Sequence, residues 1–187
     1  MRPALALLLA LSPLAAQVAR PVSATARVSG TLQPAPVRLS LATLAEMSRG
    51  FDRDFQVFAP ADPIDVLGRT RGIYLEGFGA VFTTELDAIL TPRLSPFRPN
   101  ISDQDKAQVR QRKLARLPVV ERLMNSMLQS AAKELATVPE DQQIVVMVNF
   151  VYLPYEDTTG LPGQMVVKSS RRAILSGAQI EARVTNQ

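Results

Sequence analysis

Residues Pro118 to Val138 read PVVERLMNSMLQSAAKELATV, and shortly after them Ile144 to Leu153 read IVVMVNFVYL. In the first stretch Val120, Leu123, Met124, Met127, Leu128, Ala131 and Leu135 recur at helical spacing. Glu121, Arg122, Asn125, Gln129, Lys133 and Glu134 take the opposite side, so the segment is an amphipathic helix with one face to bury. The second stretch is apolar on both of its alternating sets, with Asn149 the lone exception. That pattern belongs to a central strand covered on both faces or to a strand at a contact between two copies of the chain.

The segments around this pair supply the sheet that the helix needs. Between Ile73 and Leu90, Ala80, Phe82, Leu86 and Ala88 alternate with Val81, Thr83, Glu85 and Asp87, as in β-structure with one apolar and one largely polar face. Gly77-Phe78-Gly79 suits either a three-residue hairpin loop or a bulge. On the far side, Pro154 to Gly163 (PYEDTTGLPG) is a loop by composition, Gln164 to Leu175 is the returning strand of a hairpin, and Ala178 to Thr185 alternates into a terminal strand.

Nearer the start, Ser40 caps a short helix that runs to Arg49 and stops at Gly50, and Phe51 to Phe58 reads as a half-buried strand. Asp62 to Gly68 carries an acidic cap, Pro63 and a closing glycine, the markers of one helical turn. Three prolines make Thr91 to Ser102 a connector, and Ser102 with Asp105 has capping-box spacing for a helix whose first half, to Leu117, is polar and solvent-facing before Pro118 kinks or restarts it. Helices thus lie between groups of strands and do not follow each strand in turn. The expected fold is α+β, an antiparallel sheet of about four or five strands packed on one long amphipathic helix. The alternative is a β-sandwich-like domain with a peripheral helix.

The start of the chain is of another kind. Arg2 precedes ALALLLALSPLAA (Ala4 to Ala16), an apolar run too short to span a bilayer and interrupted by Pro13. It reads as a secretory signal peptide occupying 1–16 or 1–24, followed by a proline-rich flexible leader over 17–37 and a single domain over 38–187. The expected location is periplasmic or secreted, with no membrane span after cleavage.

Composition excludes more than it assigns. Of 187 residues, 47% are apolar and 20% charged, so the chain has the make-up of a globular protein. Cys, His and Trp are all absent, which removes disulfides, thiolate nucleophiles, Cys/His zinc sites and the Ser-His-Asp triad. The formal net charge of +4 falls to about +2 once Arg2 and Arg20 leave with the signal, and the many arginines carry no nucleic-acid footprint.

Few motifs survive. Ser130-Ala131-Ala132-Lys133 matches the S-x-x-K of serine β-lactamases and penicillin-binding proteins over four residues, but the companion motifs are missing and the match falls late in a helix. Glu85 and Asp87 point the same way from one strand, which is the arrangement that carboxylate-dependent hydrolysis uses. Tyr155, Glu156 and Asp157 lie in the loop between two strands, where an aromatic surface and acidic charge would meet a protein partner. No metal site and no cofactor is expected. The function expected is therefore that of an exported, non-catalytic binding or envelope-assembly module, with a protein partner in the envelope or outside the cell. A homo-oligomer through the strand Ile144 to Leu153 is a further possibility, and a carboxylate-dependent hydrolase using Glu85 and Asp87 is the alternative function.

Overall fold

The computed structural model describes residues 39–58, 63–92, 94, 100–178, 180 and 182–186. The signal peptide and the leader lie outside the described residues. The elements are α1 (Leu41–Val57), β1 (Asp65–Val66), β2 (Arg71–Leu75), β3 (Gly79–Asp87), α2 (Asp103–Glu134), β4 (Gln143–Phe150), β5 (Pro162–Ser170), α3 (Arg171–Leu175) and β6 (Arg183–Asn186). They form an α+β fold in which a six-stranded sheet carries its helices on one face.

Strand order is β1-β3-β4-β5-β6, with β2 also paired to β3, so that β1 and β2 together make one interrupted edge. All pairs are antiparallel but one. β3 and β4 run parallel, Gly79 opposite Gln143 through Leu86 opposite Phe150. Parallel neighbours require a long crossover, and the whole of α2 lies between these two strands. The antiparallel sheet expected from sequence thus becomes a mixed one with six strands.

Pleating sorts the side chains. Ala80, Phe82, Leu86, Ile144, Val146, Val148, Met165 and Val167 face the helices and are buried. Against them pack Val120, Met124, Met127, Leu128 and Ala131 from the stripe of α2 and Leu44, Met47, Phe51 and Phe55 from α1. The Phe51 and Phe82 rings meet edge to face at 5.0 Å. Gly72 makes this possible, since a Cβ there would come within 2.7 Å of the Phe82 ring. Ser102 caps α2 by accepting from the Asp105 N–H at 3.1 Å, and Leu135 closes it.

Several local expectations change. The helix that begins at Ser40 continues through Gly50 to Val57, and Phe51 to Phe58 is not a strand. Phe51 and Phe55 satisfy a period of two, but they also extend the stripe begun by Leu44, Met47 and Ser48, and the helical period wins because that stripe has a sheet to bury against. Of the segment Asp62 to Gly68, in which turn markers suggest a helical turn, Asp62 lies outside the described residues and 63–68 are not helical. Asp65 and Val66 pair with Asp87 and Leu86 as β1. Helix α2 runs through Pro118 as one element, and its first half is not wholly solvent-facing, since Val109 and Lys113 are buried. Residues Arg171–Leu175 are a short helix capped by Ser170 where a strand was expected. The Gly77 segment is a hairpin loop between β2 and β3, with Gly77 at φ 76° and Gly79 at φ 133°.

The glycine at the start of β3 tests the parallel pairing. A Cβ at Gly79 would strike the Gln143 backbone, in a left-handed conformation that other residues rarely adopt. Gly79→Ala should destabilise the fold by about 2 kcal/mol or more in denaturant titration. Leu128→Ala should cost about 2 to 5 kcal/mol, and the exposed Gln129→Ala about 0.5 kcal/mol or less. Equal midpoints for the last two variants would mean that the stripe is misplaced.

Candidate functional site

Lys113 is the largest departure from what the sequence pattern implies. It stands in the polar half of α2, yet its relative exposure is 0%. A buried ammonium loses several kcal/mol of hydration and must be repaid by opposite charge and hydrogen bonds. Three groups surround the ammonium. Nζ lies 2.7 Å from Asp87 Oδ1 and 2.5 Å from Glu156 Oε2, and it stands 4.9 Å from the centre of the Tyr152 ring.

Each carboxylate is held in turn. Asp87, at the end of β3, accepts from the Thr91 hydroxyl at 2.7 Å and from the Ile89 N–H at 3.3 Å. Glu156 accepts from the Leu153 N–H at 3.0 Å, which closes the turn after β4 around its own side chain. Tyr152 donates its hydroxyl to the Pro162 carbonyl at 2.7 Å. Burial first, and then the negative charges of Glu156 and Asp87, raise the Tyr152 phenol well above the ordinary tyrosine range. One helical turn before Lys113, Arg110 donates to the Thr159 carbonyl at 2.6 Å and lies 3.7 Å from Asp157. Hydrogen bonds from Thr159 hold the exposed Asp157 below the usual carboxylate range, and Arg110 adds to the effect.

Three of the five residues singled out from the sequence therefore gather along the first half of α2, and the fourth, Tyr155, is tied to the connector before it. Asp87 and Glu156 share one lysine. Asp157 faces Arg110, and the Tyr155 hydroxyl donates to the Pro92 carbonyl. The expected free loop tip is instead fastened to the helix, and the Glu156 charge points inward. Lys113 escaped sequence reasoning because a lone lysine among Gln, Arg and Lys looks like a solvated face. The detectable signal was Val109, an apolar residue one turn earlier on the same side.

Glu85 occupies a different place. It is exposed on the sheet face opposite the helices, where it lines a hollow of about 130 Å³ with Arg69, Arg71, Thr83 and Asn149. The strand thus presents Glu85 to solvent and commits Asp87 to an ion pair two residues later. General acid and base chemistry on two carboxylates needs both free to exchange protons across a substrate. Asp87 is instead buried in an ion pair with Lys113. No group of three or more Asp, Glu, His or Cys able to hold a metal occurs among the described residues. Ser130 is half-buried beside α1, and Lys133 is exposed one turn away.

Removing one member of the cluster leaves the others buried and unpaired. Lys113→Met should destabilise the protein by about 3 to 5 kcal/mol, whereas Lys106→Met, whose partner Asp103 is 97% exposed, should change stability by about 0.5 kcal/mol or less. The folded state keeps the Tyr152 phenol protonated at pH values where the unfolded chain has ionised it. Above about pH 10 the unfolded state binds fewer protons, and stability must fall as pH rises. Tyr152→Phe should flatten that alkaline slope and remove the last phenolate to form in an absorbance titration. An unchanged titration would place Tyr152 in contact with water. No family model, curated protein or solved structure matches this chain, so its own residues carry the functional reading.

Proposed function

We propose that this protein is an exported, non-catalytic binding module that engages an acidic partner outside the cytoplasm through the open face of its sheet. The observation that carries this reading is the chemistry of that face. Across its central rows stand Ile73, Val81, Val145 and Lys168, then Arg71, Thr83, Met147, Val166 and Arg183, with Glu85, Asn149, Gln164 and Thr185 beside them. Both helices that cover the sheet pack on the other side. Among the described residues of these rows, Arg71, Lys168 and Arg183 are exposed against one carboxylate, that of Glu85, and Ile73 keeps half of its surface in solvent. A mixed apolar and basic surface favours a partner of opposite charge.

Export is supported by the amino-terminal sequence alone. Two features weigh against the hydrolase alternative: the ion pair that occupies Asp87, and the absence of a second carboxylate among the residues lining the Glu85 hollow. Strand β4 has both edges hydrogen-bonded to β3 and β5, so contact between copies through it would have to use its open face.

The test is in-cell crosslinking of the exported chain, comparing wild type with a variant carrying Lys168→Glu and Arg183→Glu. Both side chains are exposed, and the melting temperature should not change. Loss of an acidic partner from the crosslinked set supports the reading. An identical partner set with the fold intact overturns it, as would a glycosidase activity abolished by Glu85→Gln.

A further inference from the structure

The interruption between β1 and β2 is firmly built. Thr70 is buried there, and its N–H and hydroxyl both reach Asp52 Oδ1, at 2.9 and 2.6 Å, from α1. The same hydroxyl lies 2.5 Å from that of Thr84 in β3. With Thr70 fixed inward, its neighbours Arg69 and Arg71 are both exposed and line the same hollow. The Leu67 N–H donates to the Glu85 carbonyl at 3.0 Å, which brings the chain back to β3 on the other side of the break.

The floor is set by register. Thr83 lies opposite Arg71, and Glu85 lies opposite Asn149. Asn149, the one polar residue of an otherwise apolar strand, accepts at Oδ1 from Gln164 Nε2 at 2.9 Å, which leaves its amide hydrogens as donors. Among the described residues, Arg69, Arg71 and Glu85 form no ion pair with one another. The hollow therefore holds two guanidinium groups, one carboxylate and neutral donors, with a net charge of one positive unit.

Guanidinium forks bind carboxylates in two-point fashion, and a lone carboxylate beside them selects for an ammonium. The volume of about 130 Å³ lies below the roughly 300 to 1,000 Å³ of drug-sized sites. From this geometry we infer that the hollow binds an acidic amino acid, whose two carboxylates meet Arg69 and Arg71 and whose ammonium meets Glu85. Such a ligand carries one net negative charge and balances the site. The inference rests on the proposed binding role of this sheet face and names the chemistry of one ligand for it.

The full chain is titrated with L-glutamate, with glutarate, which lacks the ammonium, and with inorganic phosphate, following backbone amide shifts. Saturable L-glutamate binding is expected, with shifts centred on Arg69, Arg71, Thr83 and Asn149, and glutarate and phosphate should bind more weakly. Arg71→Met should weaken L-glutamate by roughly ten- to a hundred-fold. Glu85→Gln should erase the preference for L-glutamate over glutarate. Both side chains are exposed, so an unchanged melting temperature separates loss of binding from loss of fold. Phosphate binding as tight as that of L-glutamate and indifferent to Glu85→Gln would overturn the assignment and leave a plain anion patch. Absence of saturable binding would also overturn it, and persistence of the acidic crosslinked partner would show that the broader binding role stands without it.

Discussion

The ammonium of Lys113 is buried, and this single constraint fixes three parts of the molecule at once. Its counter-charges come from the end of β3 and from the turn after β4, and its own backbone belongs to α2. An apolar side chain at that point would tolerate some sliding of helix over sheet. An ammonium aimed at two carboxylates and one aromatic ring does not, because each misplacement strands a buried charge. The cluster carries one uncompensated negative charge by formal count, and backbone and hydroxyl donors from Ile89, Thr91 and Leu153 share it. Arg110 stands just outside and ties down the rest of the loop.

The alternation of a single strand gives its two acids opposite fates. Glu85 and Asp87 leave β3 on the same side by parity, but Asp87 stands in the last pair of the strand, opposite Asp65. Glu85 is exposed on the open face, while Asp87 is buried and pairs with Lys113 of α2. Spacing alone suggests a catalytic pair; in the fold Asp87 has a lysine partner and Glu85 faces solvent. Arg71, Glu85, Lys168 and Arg183 are left to solvent on the open face, whereas Asp87, Lys113 and Glu156 are drawn inward to join helix, strand and loop.

Much of the architecture was legible because it rests on burial. The stripe from Val120 to Leu135 and the unbroken apolar run of β4 have one physical meaning each, and the α+β arrangement follows from them. The failures share a cause, which is that short patterns fit two periods. Phe51 and Phe55 serve a strand or a helix equally well until a neighbouring stripe is known, and Asp62 to Gly68 carries turn chemistry that the edge of β3 recruits for pairing. The direction of β4 was hidden for another reason, since parallel and antiparallel partners leave the same mark on a strand buried at its centre. The site residues were less visible still. Lys113 gains its role only from carboxylates distant in sequence, and Arg69 and Arg71 meet Asn149 only through the register of three strands.

The parallel pair also orders the events of folding. β2 and β3 are joined by a tight hairpin and are able to zip together on the microsecond scale of local structure. β3 and β4 cannot, because their partners stand on either side of the whole 32-residue helix α2 and its flanking connectors. Closing so long a loop carries an entropic barrier that grows with the logarithm of its length, and coiling the intervening chain into a helix shortens the span to be searched. A preformed α2 therefore lowers the entropic barrier to closing the β3–β4 pair, the longest connection between paired strands among the described residues.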